Sequence, residues 1–254
     1  MLAAVIITKN EEKNIVRCLE SVRFCDEIIV VDSESTDQTV QLAAKLNARV
    51  FTVPWRGYVD QRNYANLLTT AEWILSIDAD EEVSIDLRDE ILEKIESHSS
   101  SVAYSVPRRT MYSGRWIRHG GWYPNRLVRL FKKTQGQWVG GDLHEYWSLN
   151  SSTTGTLGEL TKDLIHYSFA DIFDQVHRNN RYSSLGALTL QKSGRPFSSV
   201  RLLTKPVSKF LETYLLKGGF LDGYRGFIIS VSASYSVFLK WAKLWELNHN
   251  ESQQ

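Results

Sequence analysis

Cys18 and Cys25 are the only two cysteines in 254 residues. They have neither CxxC nor Cys/His spacing, which excludes a disulfide scaffold and a structural zinc site and fits free thiols in a reducing compartment. Net charge is equally scarce. Thirty Lys and Arg against 29 Asp and Glu leave +1, so no global field argues for nucleic acid as a partner. Long apolar runs are missing too. The longest uncharged stretch, Gly226 to Leu239, is interrupted by Ser230, Ser232, Ser234 and Ser236 and falls short of the ~18–20 apolar residues a membrane span needs. The apolar start, Met1 to Thr8, has no basic segment before it and ends at Lys9-Asn10-Glu11-Glu12. It reads as a first strand rather than a secretion signal, and a cytoplasmic location is expected. No GxGxxG follows that strand and no P-loop is present, which excludes the common nicotinamide and Walker-type phosphate sites. There are no internal repeats and no low-complexity segments.

What is present is a hydrophobic fraction of 43%, enough to fill a sizeable core, and a regular alternation over the first hundred residues. Leu2 to Thr8, Glu27 to Val31, Arg49 to Val53 and Trp73 to Ile77 read as strands. The segments between them have helical periodicity. Asn10 is expected to cap the first helix, with Glu11 and Glu12 in its opening turn, Thr36 the second, and Ser84 the one running through Ile95. The implied fold class is α/β, a doubly wound, mostly parallel sheet with right-handed crossovers. Ala103 to Met111 and Arg126 to Lys133 look like further strands, and a short one at Leu164 to Ser168 carries His166. From Asp171 onward the pattern is helical, broken near Gly194-Arg195-Pro196 and at Gly218-Gly219. The expected division is therefore 1–168 for a nucleotide-binding and catalytic domain and 169–254 for a helical C-terminal region.

In such sheets ligands bind beyond the carboxyl ends of the strands. Thr8 to Glu11, Asp32-Ser33 and Asp78-Ala79-Asp80 all stand at strand ends, so the fold brings them to one crevice. Asp78 and Asp80 share a face if the pleat continues. Two carboxylates so placed suit a hard cation, Mg²⁺ or Mn²⁺, whose shell a nucleotide diphosphate and water complete. Asp32 can accept hydrogen bonds from a base or ribose. Gly140-Gly141-Asp142-Leu143-His144-Glu145 offers two acids as general base, Asp142 and Glu145. His144 or His166 can add a metal or phosphate contact. Trp122 and Tyr123, with His119, form a candidate sugar-stacking wall. Arg126 or Arg129 is placed to meet an acceptor phosphate, or to lie on a solvated strand face. Between Arg201 and Lys217, apolar residues alternate with Arg201, Lys205, Lys209 and Lys217. This is the pattern of a basic, amphipathic helix that lies on an anionic membrane surface, or of a packed helical subdomain or oligomer contact.

Ile6-Ile7-Thr8-Lys9-Asn10-Glu11-Glu12, Ile29-Val30-Val31-Asp32-Ser33-Glu34-Ser35-Thr36-Asp37, Arg62-Asn63 and Ser76-Ile77-Asp78-Ala79-Asp80-Glu81 together resemble the family 2 glycosyltransferases of GT-A fold. The likeness covers about the first 150 residues. The remainder, with His144-Glu145 and the basic C-terminal helices, resembles the bacterial lipopolysaccharide-core members. One departure is Glu34, where the commoner pattern has Gly. The resemblance implies that Thr8, Asn10 and Glu11 lie along the nucleotide, Asp32 at uracil or ribose, and Arg62 near base or diphosphate. Asp78 and Asp80 would hold the metal, Asp80 more directly, and Glu145 would be the base, with Asp142 in reserve. It further implies an inverting transfer from a nucleotide sugar, UDP-linked such as UDP-glucose, to a lipid-linked or oligosaccharide acceptor such as the lipopolysaccharide inner core. Competing readings are a sugar nucleotidyltransferase, which would want a Gly-rich, Arg-containing loop after the first strand, and a non-catalytic, membrane-associated nucleotide-binding module.

Overall fold

The computed structural model describes residues 1–97, 99–141 and 145–251. The chain forms two compact units, one of Met1–Arg109 with Asn125–Tyr167, the other of Thr110–Pro124 with the chain from Ser168 on.

The first unit opens with β1 (Leu2–Thr8), α1 (Ile15–Ser21), β2 (Glu27–Asp32), α2 (Thr39–Lys45), β3 (Arg49–Thr52), α3 (Tyr58–Leu67) and β4 (Trp73–Asp78). It continues through β5 (Glu81–Val83), α4 (Ile85–Glu96) and the long β6 (Ser101–Tyr112), whose last residues belong to the second unit together with β7 (Arg115–Trp116). β8 (Asn125–Lys132), β9 (Gly136–Val139), β10 (Tyr146–Leu149), β11 (Thr156–Glu159) and β12 (Leu164–His166) complete it. The main sheet runs β3-β2-β1-β4-β8-β6-β12-β5. β3, β2, β1 and β4 are parallel; β8 then pairs antiparallel with both β4 and β6. β9 and β10 form a separate hairpin.

The unbroken apolar run of β1 is explained by burial on both faces. Leu2, Ala4 and Ile6 pack with Ile15, Leu19, Ala43, Leu87 and Ile91, from α1, α2 and α4. Ala3, Val5 and Ile7 pack on the other face with Ala65 of α3, Phe131, and Trp138 and Trp147 of the hairpin. The α/β architecture expected from the alternation is the one observed. The caps differ in part. Ser84 does cap α4, its hydroxyl accepting from the Leu87 N–H at 3.2 Å. Asn10 and Thr36 cap nothing: α1 starts only at Ile15 and α2 at Thr39, neither with a side-chain cap. Asn10 instead takes φ 56° and accepts the Thr36 N–H on its Oδ1 at 2.8 Å. A loop-to-loop contact has displaced the local cap. The hairpin β9–β10 and the short strands β5 and β11 have no clear alternation and were not anticipated.

In the second unit, Tyr112, Ile117 and Ile229 form a small core with Trp122 and Phe169 against them. Its helices are α5 (Ile172–Lys192), α6 (Ser199–Leu211) and α7 (Gly223–Glu251), with a π turn at Glu212–Leu216 and a 3-10 turn at Gly219–Asp222 between the last two. Asp171 and Ser198 cap α5 and α6 through their side chains. Asp222 ties in the segment after β7, accepting the backbone N–H groups of Arg118 and His119 at 3.2 and 2.9 Å. No helix among the described residues is long and apolar enough to cross a membrane.

Candidate active site

Strand register assembles the site. β1 lies between β2 and β4, and pairs Thr8 with Asp32 and Ile7 with Asp78. The loops that leave β1 and β2 are then knitted together. The Asn10 N–H donates to Ser35 Oγ at 2.8 Å and the Glu11 N–H to Thr39 Oγ1 at 2.8 Å. Glu12 and Asp37 exchange reach across the same gap, each carboxylate accepting a backbone N–H from the opposite loop at 3.1 Å. Asp32 is fully buried. Its carboxylate accepts the Ser35 N–H at 2.9 Å and the Ser35 hydroxyl, an Asx-type turn that shapes the loop. Beside it, Gln61 donates to Ser33 Oγ at 3.1 Å, while Gln61 Oε1 and Thr8 Oγ1 are buried without a hydrogen-bond partner. Glu34, which stands where glycine is commoner, has φ 56°. That left-handed backbone explains why a glycine suits the position.

A buried ion network lies next to this cradle. Arg62, on α3 and almost fully buried, donates from Nη2 to Asp78 Oδ1 at 2.6 Å. Arg129, on β8 and equally buried, donates to Asp78 Oδ2 at 2.5 Å and to Glu81 Oε1 at 2.7 Å. Glu81 closes the ring by accepting the Asp78 N–H at 2.9 Å and an Arg108 N–H at 3.1 Å. Burial opposes ionisation of Asp78, but the guanidinium groups of Arg129, Arg62 and Arg108 outweigh it and hold the carboxyl far below the usual range. Burial likewise disfavours the charged form of Arg129, and Asp78 with Glu81 reverses that, raising its pKa.

Arg62 also reaches toward Glu145, Nη2 to Oε1 at 3.8 Å, and its guanidinium lies 4.6 Å from the centroid of the Trp138 ring. Asn63, next in sequence, makes two hydrogen bonds to the Trp138 backbone, both at 2.9 Å. The pair Arg62-Asn63 thus fixes the hairpin on whose edge Glu145 stands. Asp80 faces His166, whose Nε2 is 3.5 Å from Asp80 Oδ2. The pairing of β12 with β5, which sets His166 opposite Glu81, brings that imidazole to the strand ends. Asp142 and His144 lie outside the described residues.

A model of the glycosyl transferase family 2 domain matches residues 3–153. The chain belongs to glycosyltransferase family 2. This glycosyltransferase is 37% identical over 255 residues, 97% of its own length and 87% of the relative's, to an uncharacterised glycosyltransferase of Rickettsia typhi. It is 31% identical over 251 residues, 96% of its length and 92% of the relative's, to the lipopolysaccharide core biosynthesis glycosyltransferase LpsC of Rhizobium meliloti. Among solved structures, mannosyl-3-phosphoglycerate synthase from Rubrobacter xylanophilus aligns with a TM-score of 0.52 and 16% identity over 78% of this chain and 76% of that one, a likeness of fold. The GT-A-type architecture expected from the sequence is the architecture of this glycosyltransferase.

Several expected roles shift within it. Asp78, read as a metal ligand, has both carboxylate oxygens on arginines, while Asp80, read as the more direct ligand, faces His166. No group of three or more His, Cys, Asp or Glu side chains able to hold a metal occurs among the described residues. Arg129, read as an acceptor contact or a solvated strand residue, is instead the buried counter-ion of Asp78 and Glu81; its sequence neighbours gave no signal of this. Arg126, read as an acceptor contact, donates to the Leu160 carbonyl at 3.0 Å and pairs with Glu159 at 3.5 Å. Trp122, read as a sugar platform, packs edge-on against Tyr112 at 5.7 Å and near Phe169 at 6.1 Å, and half-buried Tyr123 follows it. Glu81, quoted only as the end of the Asp78-Ala79-Asp80 motif, and Arg108 were assigned no role from the sequence.

Proposed function

We propose that this family 2 glycosyltransferase moves a sugar, with inversion, from a UDP-linked donor such as UDP-glucose to a cell-envelope glycolipid such as the lipopolysaccharide inner core. The observation that carries the reading is the convergence on Arg62, which ties Asp78 to Glu145 beside the Asp80–His166 pair at the strand ends. Asn10, Glu11 and the Asp32–Ser35 turn form the nucleoside side of the site. The unanswered Thr8 Oγ1 and Gln61 Oε1 next to them are polar atoms suited to a ligand's donors.

Asp80 and His166 fit a divalent metal as two of its ligands, since Mg²⁺ and Mn²⁺ sites of this kind take one or two protein groups and fill up with phosphate oxygens and water. When bound there, Mg²⁺ or Mn²⁺ supplies Lewis-acid stabilisation of the departing diphosphate. Glu145 accepts the proton of the attacking acceptor hydroxyl, with Asp142 as the reserve. Arg62 orients Glu145 and, being already neutralised by Asp78, does so without leaving a buried charge unpaired. The acceptor class rests on the relative named for lipopolysaccharide core biosynthesis.

Purified protein incubated with a panel of nucleotide sugars, with Mn²⁺, Mg²⁺ or EDTA, tests the reading through nucleotide release. Metal-dependent release of UDP from one donor is expected. Glu145→Gln should keep donor binding and lower transfer by roughly 10²–10⁴-fold, the usual worth of a general base; undiminished transfer would move the role to Asp142. Failure of every nucleotide to bind would end the donor-site reading.

A further inference from the structure

The second unit carries an apolar surface that the donor site does not use. α6 turns Leu202, Pro206 and Phe210 inward: Leu202 joins the core of Ala187, Trp241 and Leu244, the Pro206 carbonyl accepts from Ser234 at 2.8 Å, and Phe210 meets Phe227 edge-on. Its next stripe, Val200, Leu203, Val207 and Leu211, recurs at the three- and four-residue spacing of one helix face and is exposed, Leu203 to 70%. The exposure continues through the turn after α6, at Leu215, Leu216 and Leu221, and reaches α7 at Tyr224, which is 89% exposed. Along α7, Tyr224, Ile228, Val231, Tyr235 and Phe238 repeat the same spacing, all exposed. The corner between the helices is joined by Phe210, Tyr214, Phe220 and Phe227, each within ring contact of another. An apolar patch of this extent marks an interaction site.

Charge decides its occupant. α6 contains Arg201, Lys205 and Lys209 and no acid. At 100° per residue these cations lie on the side of the helix away from the exposed stripe, apolar on one side and basic on the other. Lys209 is answered by Glu212, 3.1 Å away, but Lys205 gathers with Lys209 around Lys240 of α7. Lys240 is half-buried, and burial first, then those two cations, push its pKa below the ordinary lysine value. A second copy of this chain would bring no acidic partner on α6 to these cations. Anionic headgroups would, while taking the stripe into the acyl boundary, where interfacial helices bury their apolar face about 5–10 Å deep.

We infer that α6 and the first turns of α7 form a docking surface for an anionic bilayer, with α6 lying in the headgroup plane. This is independent of the donor-site reading, because binding to lipid needs no turnover.

Flotation of the full chain with vesicles of phosphatidylcholine alone, or mixed with phosphatidylglycerol, tests it. The unmodified protein should float with the mixed vesicles and bind the neutral ones far more weakly. Leu203→Ser with Val207→Ser, at exposed positions, should abolish flotation on both while the circular dichroism spectrum stays the same. Arg201→Gln with Lys205→Gln should weaken binding to the mixed vesicles by about thirtyfold, two basic contacts at about 1 kcal/mol each, and leave the residual binding to neutral vesicles unchanged. Absence of flotation with any vesicle overturns the inference. So does a concentration-dependent dimer that the serine pair converts to monomer, which would assign the face to a second copy.

Discussion

The two units treat their polar and apolar residues in opposite ways. In the first, Asp78, Glu81, Arg62 and Arg129 are drawn in from three strands and a helix and neutralise one another. In the second, cations such as Lys205 stand in solvent and long apolar side chains stand there with them. A buried charge that is fully answered is a structural commitment, expensive to alter. An exposed apolar stripe is an unspent one, free to be covered. The contrast separates the unit whose charges are buried and paired, proposed as the donor site, from the unit whose exposed apolar face is proposed to dock on a bilayer.

Removing an arginine from each unit is the strongest way to break that contrast. Arg129→Met leaves Asp78 and Glu81 short of a counter-ion and should cost about 3–5 kcal/mol in urea unfolding. Arg225→Met in the second unit removes only the donors to the Ser113 carbonyl at 2.9–3.0 Å and should cost about 0.5–1.5 kcal/mol. Equal losses would erase the distinction. An aspartate pair sharpens it from the side of activity. Asp80→Ala should cut turnover by about 10²-fold or more, the scale on which one electrostatic stabiliser is lost, with little change in melting temperature. Asp222→Ala should do the reverse, since it releases the Arg118 and His119 backbone.

Two smaller effects follow. Glu34→Gly should stabilise the first unit by up to about 1 kcal/mol, the cost of a left-handed backbone for a residue with a side chain less glycine's extra entropy; a loss in urea unfolding would contradict the strain. In the second unit, Lys240 has a lowered folded pKa, so between that value and the unfolded ~10.4 the unfolded chain binds more protons. The Lys240 contribution should therefore rise as alkaline pH climbs through that window, and Lys240→Met should make the slope of stability against pH less positive there. A slope unchanged in the variant would locate its origin elsewhere.

How much of this could be read beforehand depended on whether the signal was local. The strands β1, β2 and β4 were legible because burial on both faces leaves an uninterrupted apolar run, as in Leu2 to Thr8. Ser84 was legible as a cap because its partner, Leu87, is three residues away. Asn10 was misread for the converse reason: its partner is Thr36, in another loop. The same holds at the site. Arg62 and Glu145 could be singled out by motif, but their joining through 3.8 Å depends on Asn63 holding the hairpin at Trp138.

The sequence by itself determined the alternation, the doubly wound α/β class, the strand ends at which Thr8, Asp32 and Asp78 stand, and the amphipathic character of α6, because each is written in the periodicity of neighbouring residues. Only the tertiary structure decided which acid answers which base. Asp78 and Asp80 are nearly indistinguishable in sequence, yet one is held by Arg129, 51 residues away, and the other faces His166. Coulomb energy depends on distance and burial, and both are set by the register of strands far apart in the chain.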